Sequence, residues 1–173
     1  MNTEETKKIT LSLIDTFNRA SQVALELRKI GLTKEIKSDN TPVSNGDIEV
    51  NKILTNKIQE TTPNIPVVSE ESSKHKSDVD LKDFWLIDPI DGTRDYINNR
   101  DEFTLNAALI LNRKPVIGII TAPAKGRVFY SYGFSNSYEL INGKELSLIE
   151  KEKSYEELIA VTYSNEPKKE ILE

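Results

Sequence analysis

At 173 residues, 37% hydrophobic and 29% charged, the chain is long enough and apolar enough for a domain with a full core. It has no cysteine, which excludes disulfides and thiolate metal sites, and no apolar run approaches the roughly 20 residues a membrane span needs. The formal net charge of −5, without a run of Lys or Arg beyond two, argues against a nucleic-acid polymer as partner but not against a small phosphorylated one.

The polar stretch Met1 to Lys8 lacks the apolar core of a signal peptide, so a cytoplasmic location is expected. Leu13, Phe17, Ala20, Ala24 and Leu27, extended by Ile9 and Ile30, predict a core-facing helix that stops at Gly31. A polar passage from Thr33 to Gly46 follows. A second helix is expected from Ser44 or Asn45, burying Val50, Ile53, Leu54 and Ile58 and ending before Pro63. The texture then changes to strands at Ile65–Ser69 and Phe84–Ile87, separated by a charged surface loop, Glu71 to Asp83, that holds His75.

An antiparallel meander is predicted next: Phe103–Leu111, Val116–Ala122 and Arg127–Tyr132, with turns at Asn112-Arg113-Lys114 and Ala124-Lys125-Gly126. A weaker arm, Ser137–Ile141, runs into an Asn142-Gly143 turn, and Leu158–Thr162 reads as one more strand. The expected fold is α+β, two N-terminal helices packed on one face of a largely antiparallel sheet. The expected boundaries are a first domain over 1–153 and the first strand of a second domain over 154–173.

The chemistry concentrates in Trp85-Leu86-Ile87-Asp88-Pro89-Ile90-Asp91-Gly92-Thr93. Asp88 and Asp91 follow a short apolar segment, and Gly92-Thr93 can open a helix whose first amides accept an anion. Asp-Gly alone is a common turn dipeptide. A second acidic pair, Glu70-Glu71, also ends an apolar run, and two strand ends delivering carboxylates point to a shared site for hard divalent cations. That reading requires the strands at Val67 and Leu86 to lie side by side, so that Glu70 reaches the cation of Asp88; the carbonyl of Ile90 is a further candidate ligand. Asp47, near the start of the second helix, is either a helix-dipole carboxylate or a partner of Thr93 in activating water.

These motifs together resemble the inositol monophosphatase superfamily: Asp88 to Thr93 its DP(I/L)DGT signature, Ser69-Glu70-Glu71 its upstream acidic motif, and Lys37 to Ser44 with Asp47 its mobile loop and following helix. The flanks Arg94-Asp95-Tyr96-Ile97 and Arg100 to Ile110, which include Glu102 and Asn106, look most like the CysQ-type 3'(2'),5'-bisphosphate nucleotidases. The resemblance implies a magnesium-dependent phosphatase that removes the 3'-phosphate of adenosine 3',5'-bisphosphate. It implies Glu70, Asp88 and the Ile90 carbonyl on a first ion, with Asp88 and Asp91 on a second about 3.5–4 Å away. A third, weaker magnesium is implied near Glu70 under the Lys37–Thr41 loop. Thr93 and Asp47 would activate the attacking water, and Asp91, Gly92 and Thr93 would hold the phosphate. An inositol or sugar monophosphate phosphatase, or a non-catalytic metal-binding remnant, are the alternatives.

The family's second half carries a Trp-Asp motif whose aspartate completes the second ion site, and nothing comparable lies in residues 150–173. Val161 to Asn165 also departs from the branch's usual Ser-Arg-Ser-His-like segment. The chain is therefore expected to be an N-terminal part, weakly active or inactive alone, with an apolar face prone to self-association.

Overall fold

The computed structural model describes residues 1–38, 40–71, 81–133 and 136–148. Helix α1 (Thr3–Ile30) begins at a reciprocal cap: the Glu5 amide donates to the Asn2 side chain at 2.9 Å, and the Asn2 amide donates to the Glu5 carboxylate at 2.8 Å. Gly31, at φ 110°, ends it. Leu13, Phe17, Ala20 and Ala24 are fully buried, as the stripe predicts, and Ile14 joins them. Ile30, at the last position of the helix, instead lies 77% exposed.

The polar passage after α1 is not structureless. Strands β1 (Lys34–Ile36) and β2 (Pro42–Ser44) form a small antiparallel pair, with Lys34 opposite Ser44. Helix α2 (Asn45–Thr61) starts on Ser44, whose hydroxyl accepts from the amides of Gly46 and Asp47. Val50, Leu54 and Ile58 are fully buried on its inner side.

The remaining strands form one seven-stranded sheet in sequence order. They are β3 (Val67–Ser69), β4 (Phe84–Asp91), β5 (Thr104–Leu111), β6 (Lys114–Ala122), β7 (Arg127–Tyr132), β8 (Asn136–Ile141) and β9 (Lys144–Ser147). A five-residue helix, α3 (Thr93–Ile97), joins β4 to β5. Every neighbouring pair is antiparallel except β3–β4, which is parallel. The α+β architecture is the expected one. The proposed boundary at 153 and the strand at Leu158–Thr162 lie outside the described residues.

Both long helices pack on one face of the sheet, where Trp85, Ile87, Leu105, Leu109, Ile117 and Ile119 are almost wholly buried. Each such large side chain contributes roughly 1.5–3 kcal/mol by leaving water. Trp85 also donates its indole N–H to Thr62 Oγ1 at 2.9 Å, tying β4 to the end of α2. Trp85→Phe removes that bond and leaves a gap, so urea denaturation is expected to show a loss of about 1–2 kcal/mol. The opposite face carries no described element: Leu86 and Ile120 stand 48% and 46% exposed on it.

Candidate active site

β4 does not end at Asp88. It runs through Pro89 and Ile90 to Asp91, with a register shift between Asp88 (opposite Asn106) and Asp91 (opposite Thr104). The strand expected to stop at Ile87 thus continues through a bulge, a place where proline's missing N–H breaks no ladder bond. The bulge turns the chain so that Gly92, at φ 91°, leads directly into α3. A side chain at Gly92 would put its Cβ 2.7 Å from the Glu102 carbonyl oxygen, besides straining the backbone.

The strands that must be neighbours are neighbours. Val67 pairs with Trp85, Val68 with Leu86 and Ser69 with Ile87, and the Glu70 amide donates to the Ile87 carbonyl at 3.1 Å. Glu70 therefore emerges beside Asp88 at one end of the parallel pair. A cleft of about 420 Å³ lies there, lined by Val68, Ser69, Glu70, Leu86, Ile87 and Asp88. A larger groove of about 540 Å³ along the first turns of α1, from Asn2 to Leu11, gathers no convergent chemical groups.

Asp47 both caps α2 and touches Thr93. Its Oδ2 accepts from the Ser44 amide at 2.8 Å and the Ser44 hydroxyl at 2.6 Å, closing the cap of α2. Its Oδ1 lies 3.0 Å from Thr93 Oγ1, which also sits 2.9 Å from the Ile90 carbonyl. The single hydroxyl proton serves one of these acceptors at a time. Asp47 is only 1% exposed, whereas Thr93 is half-buried and keeps one side open.

Asp88 Oδ1 is buried and has no hydrogen-bond partner. Burial, then the charges of Glu70 and Asp91, push this carboxyl up to about 7. Asp91 Oδ2 accepts from the Asn106 amide at 3.2 Å. On the far side, the Lys37 ammonium lies 2.7 Å from Glu71 and 3.7 Å from Glu70. Burial opposes the charge on Lys37, but the hydrogen bond and charge of Glu71 outweigh it and raise the pKa. An ammonium thus faces Glu70 from the end of β1, in the region where the family resemblance implies a third, weaker ion.

The same order of motifs has known counterparts. A sequence model of the inositol monophosphatase family matches residues 5–172. The chain belongs to that family. It is 35% identical over 144 residues to the 3'(2'),5'-bisphosphate nucleotidase CysQ of Aggregatibacter actinomycetemcomitans, covering 79% of this chain and 52% of that protein. To the CysQ of Haemophilus influenzae it is 40% identical over 99 residues, covering 56% of this chain and 37% of the other. The chain spans about half the length of these relatives, or less. Among solved structures, CysQ from Bacteroides thetaiotaomicron, described as a bacterial member of the inositol monophosphatase family, superposes with TM-score 0.57 at 25% identity, over 79% of this chain and 50% of that one. The IMPase of Thermotoga maritima gives TM-score 0.65 at 23% identity, over 76% and 50% respectively, and supports the fold alone.

Within this family fold, the described residues contain no three Asp, Glu or His side chains gathered closely enough to hold an ion by themselves. The donor set nonetheless fits a hard cation. The orphaned Asp88 oxygen lacks any protein donor, and magnesium commonly binds through one or two carboxylates, with water and substrate oxygens filling its octahedron. Sequence reasoning singled out Asp47, Glu70, Asp88, Ile90, Asp91, Gly92 and Thr93, and the fold brings all of them to the β4–α3 junction. It gave no role to Asn106, although a polar side chain between apolar Leu105 and Ala107 in a buried strand was the available signal. No helix among the described residues is long and apolar enough to cross a membrane.

Proposed function

We propose that this chain forms the metal- and phosphate-binding part of a phosphatase that removes the 3'-phosphate of adenosine 3',5'-bisphosphate, or of its 5'-phosphosulfate analogue. Glu70, Asp88 and the Ile90 carbonyl would hold one magnesium ion, Asp88 and Asp91 a second, and the region near Glu70 a weaker third. Magnesium bound there would supply charge neutralisation at the phosphate and the leaving oxygen.

The protein's own part is positioning and proton transfer. With the Thr93 hydroxyl donating to Asp47, its lone pairs accept a hydrogen of the attacking water. Asp47 is the final proton acceptor, since its Oδ1 has only the Thr93 contact while Ser44 occupies Oδ2. The backbone around Asp91, Gly92 and Thr93 holds the phosphate. Water attacks phosphorus directly, so neither a cysteine nor a histidine nucleophile is needed, and the sequence has no cysteine. The supporting observation is the 3.0 Å contact between Asp47 and Thr93, 46 residues apart, beside the unpartnered Asp88 oxygen. A cytoplasmic location and self-association through the uncovered sheet face belong to the same proposal.

The test is a phosphate-release assay and calorimetry on the 173-residue chain. Slow, magnesium-dependent turnover is expected with adenosine 3',5'-bisphosphate, because the cleft lies open to water on the uncovered side of the sheet. Magnesium-dependent binding of the nucleotide is expected to exceed binding of inositol 1-phosphate. The opposite preference would transfer the assignment to an inositol-phosphate phosphatase. Magnesium binding without any turnover would leave a non-catalytic metal-binding unit.

A further inference from the structure

Asn106 stands opposite Asp88 in the β4–β5 register, so both side chains project from the same, uncovered face of the sheet. Two buried side-chain oxygens without a hydrogen-bond partner appear among the described residues: Asp88 Oδ1 and Asn106 Oδ1. They belong to this one cross-strand pair. The other end of the Asn106 amide is engaged, since Nδ2 donates to Asp91 Oδ2 at 3.2 Å. A carboxylate only accepts, so this orientation of the amide is the one that makes the bond. Turning it over would set two acceptors against each other.

The amide therefore does two things from one position. It holds Asp91, which lies beyond the bulge and is exposed, and it leaves its own oxygen buried and unpartnered at the register position opposite Asp88. An orphaned buried amide oxygen costs about 1–3 kcal/mol in an apolar setting. Nothing in the packing of β5 requires it: Leu105, Ala107 and Leu109 fill the helix-facing side, and the neighbour on the open side is Ala108. Serine or threonine would have served a half-exposed strand position without that cost.

We infer that Asn106 is a positioning residue of the ion site, holding Asp91 through its amide N–H and accepting from water around the cation through Oδ1. This inference rests on the proposed metal-dependent function. It assigns Asn106 an outer role, behind Asp88 and Asp91, of the kind whose loss commonly costs 10- to 100-fold in metal affinity.

The inference is tested by titrating magnesium chloride alone into the full chain, its Asn106→Ala variant and its Asn106→Thr variant, with binding read by calorimetry. Threonine favours strands and is too short to reach Asp91, so it covers the case in which the alanine variant folds poorly. Both variants are expected to bind magnesium about 10-fold more weakly or worse. Their metal-free melting temperatures should match the parent, because the lost bond leaves together with an unsatisfied oxygen. Affinity within twofold of the parent in either folded variant overturns the inference while leaving the proposed function standing. A parent chain that binds no magnesium overturns both.

Discussion

Asp88→Asn is expected to abolish magnesium binding and, in the absence of metal, to raise the melting temperature. The carboxylate is half-buried, faces Glu70 and Asp91, and has one oxygen without any partner. An amide of the same shape removes a crowded negative charge without opening a cavity. The pH dependence fixes the sign. A carboxyl lifted from 3.8 to about 7 binds its proton more tightly folded than unfolded. Its ionisation therefore lowers stability progressively as pH rises from about 4 to about 7.

In the presence of a chelator, the parent chain should lose stability across that window, and the asparagine variant should lose less. Near pH 4, where the parent carboxyl is protonated, the two should converge. Saturating magnesium should reverse the order by stabilising only the parent, through mass action on the folded state. Thermal melts with chelator and with magnesium at several pH values decide it. A variant less stable than the parent in chelator at neutral pH would show that Asp88 is structural.

Gly46→Ala is expected to destabilise the fold and to weaken the proposed catalytic pair together. A Cβ at Gly46 would meet the hydroxyl of Tyr96 and come within 2.6 Å of Cε1 and 2.8 Å of Cζ. Tyr96 has nowhere to go: it is fully buried, donates its hydroxyl to the Ala24 carbonyl at 2.7 Å, and packs against Phe103 with ring centroids 4.9 Å apart. Alanine gains up to about 1 kcal/mol of helix propensity over glycine. Overpacking a rigid core typically costs about 1–3 kcal/mol, and three sub-contact distances place this site at the upper end. The clash should win.

The functional consequence follows from position. Gly46 precedes Asp47, and Tyr96 lies one turn after Thr93 on α3, so pushing the ring away separates the two helix starts that hold the proton path. We expect a fall in denaturation midpoint and, in any residual phosphate release, a loss in kcat larger than the change in KM. A variant as stable as the parent would mean that Tyr96 can be displaced cheaply.

The two long helices were legible because each carries a long apolar stripe and a local stop or start, Gly31 for α1 and Ser44 for α2. The pairing of the strands around Val67 and Leu86 was a condition the sequence could pose and not answer, since an acidic pair also commonly follows an edge strand into solvent, and the register of β3 on β4 meets it. The β1–β2 pair was missed because its Lys34–Ile36 arm is wholly exposed, so no core imposes alternation on it. The end of β4 was placed too early, at Ile87, because a proline is seldom tolerated inside a strand, whereas here a bulge accommodates Pro89 and the strand runs on to Asp91. For Asp47, sequence spacing posed a choice between cap and catalyst, and the two need not compete, because one oxygen of the buried carboxylate meets Ser44 and the other meets Thr93. Substrate choice is not written in Asp88–Thr93, since the roles proposed for those residues concern ions and phosphate, which every phosphomonoester shares.

One element of the sheet stands apart in how it is held. The strands from β4 to β9 follow one another as antiparallel neighbours, whereas β3 is a three-residue strand, parallel to β4 and, among the described residues, paired with it alone within the sheet. Short edge segments open at a small fraction of the free energy that unfolds a whole domain. Glu70 directly follows that segment, and its amide bond to Ile87 belongs to the same pairing. The acidic cleft is thus built with a hinged wall. One of its carboxylates can withdraw by local fraying while Asp88 and Asp91 stay fixed in the sheet, so the spacing between Glu70 and Asp88 can change through an opening far gentler than unfolding.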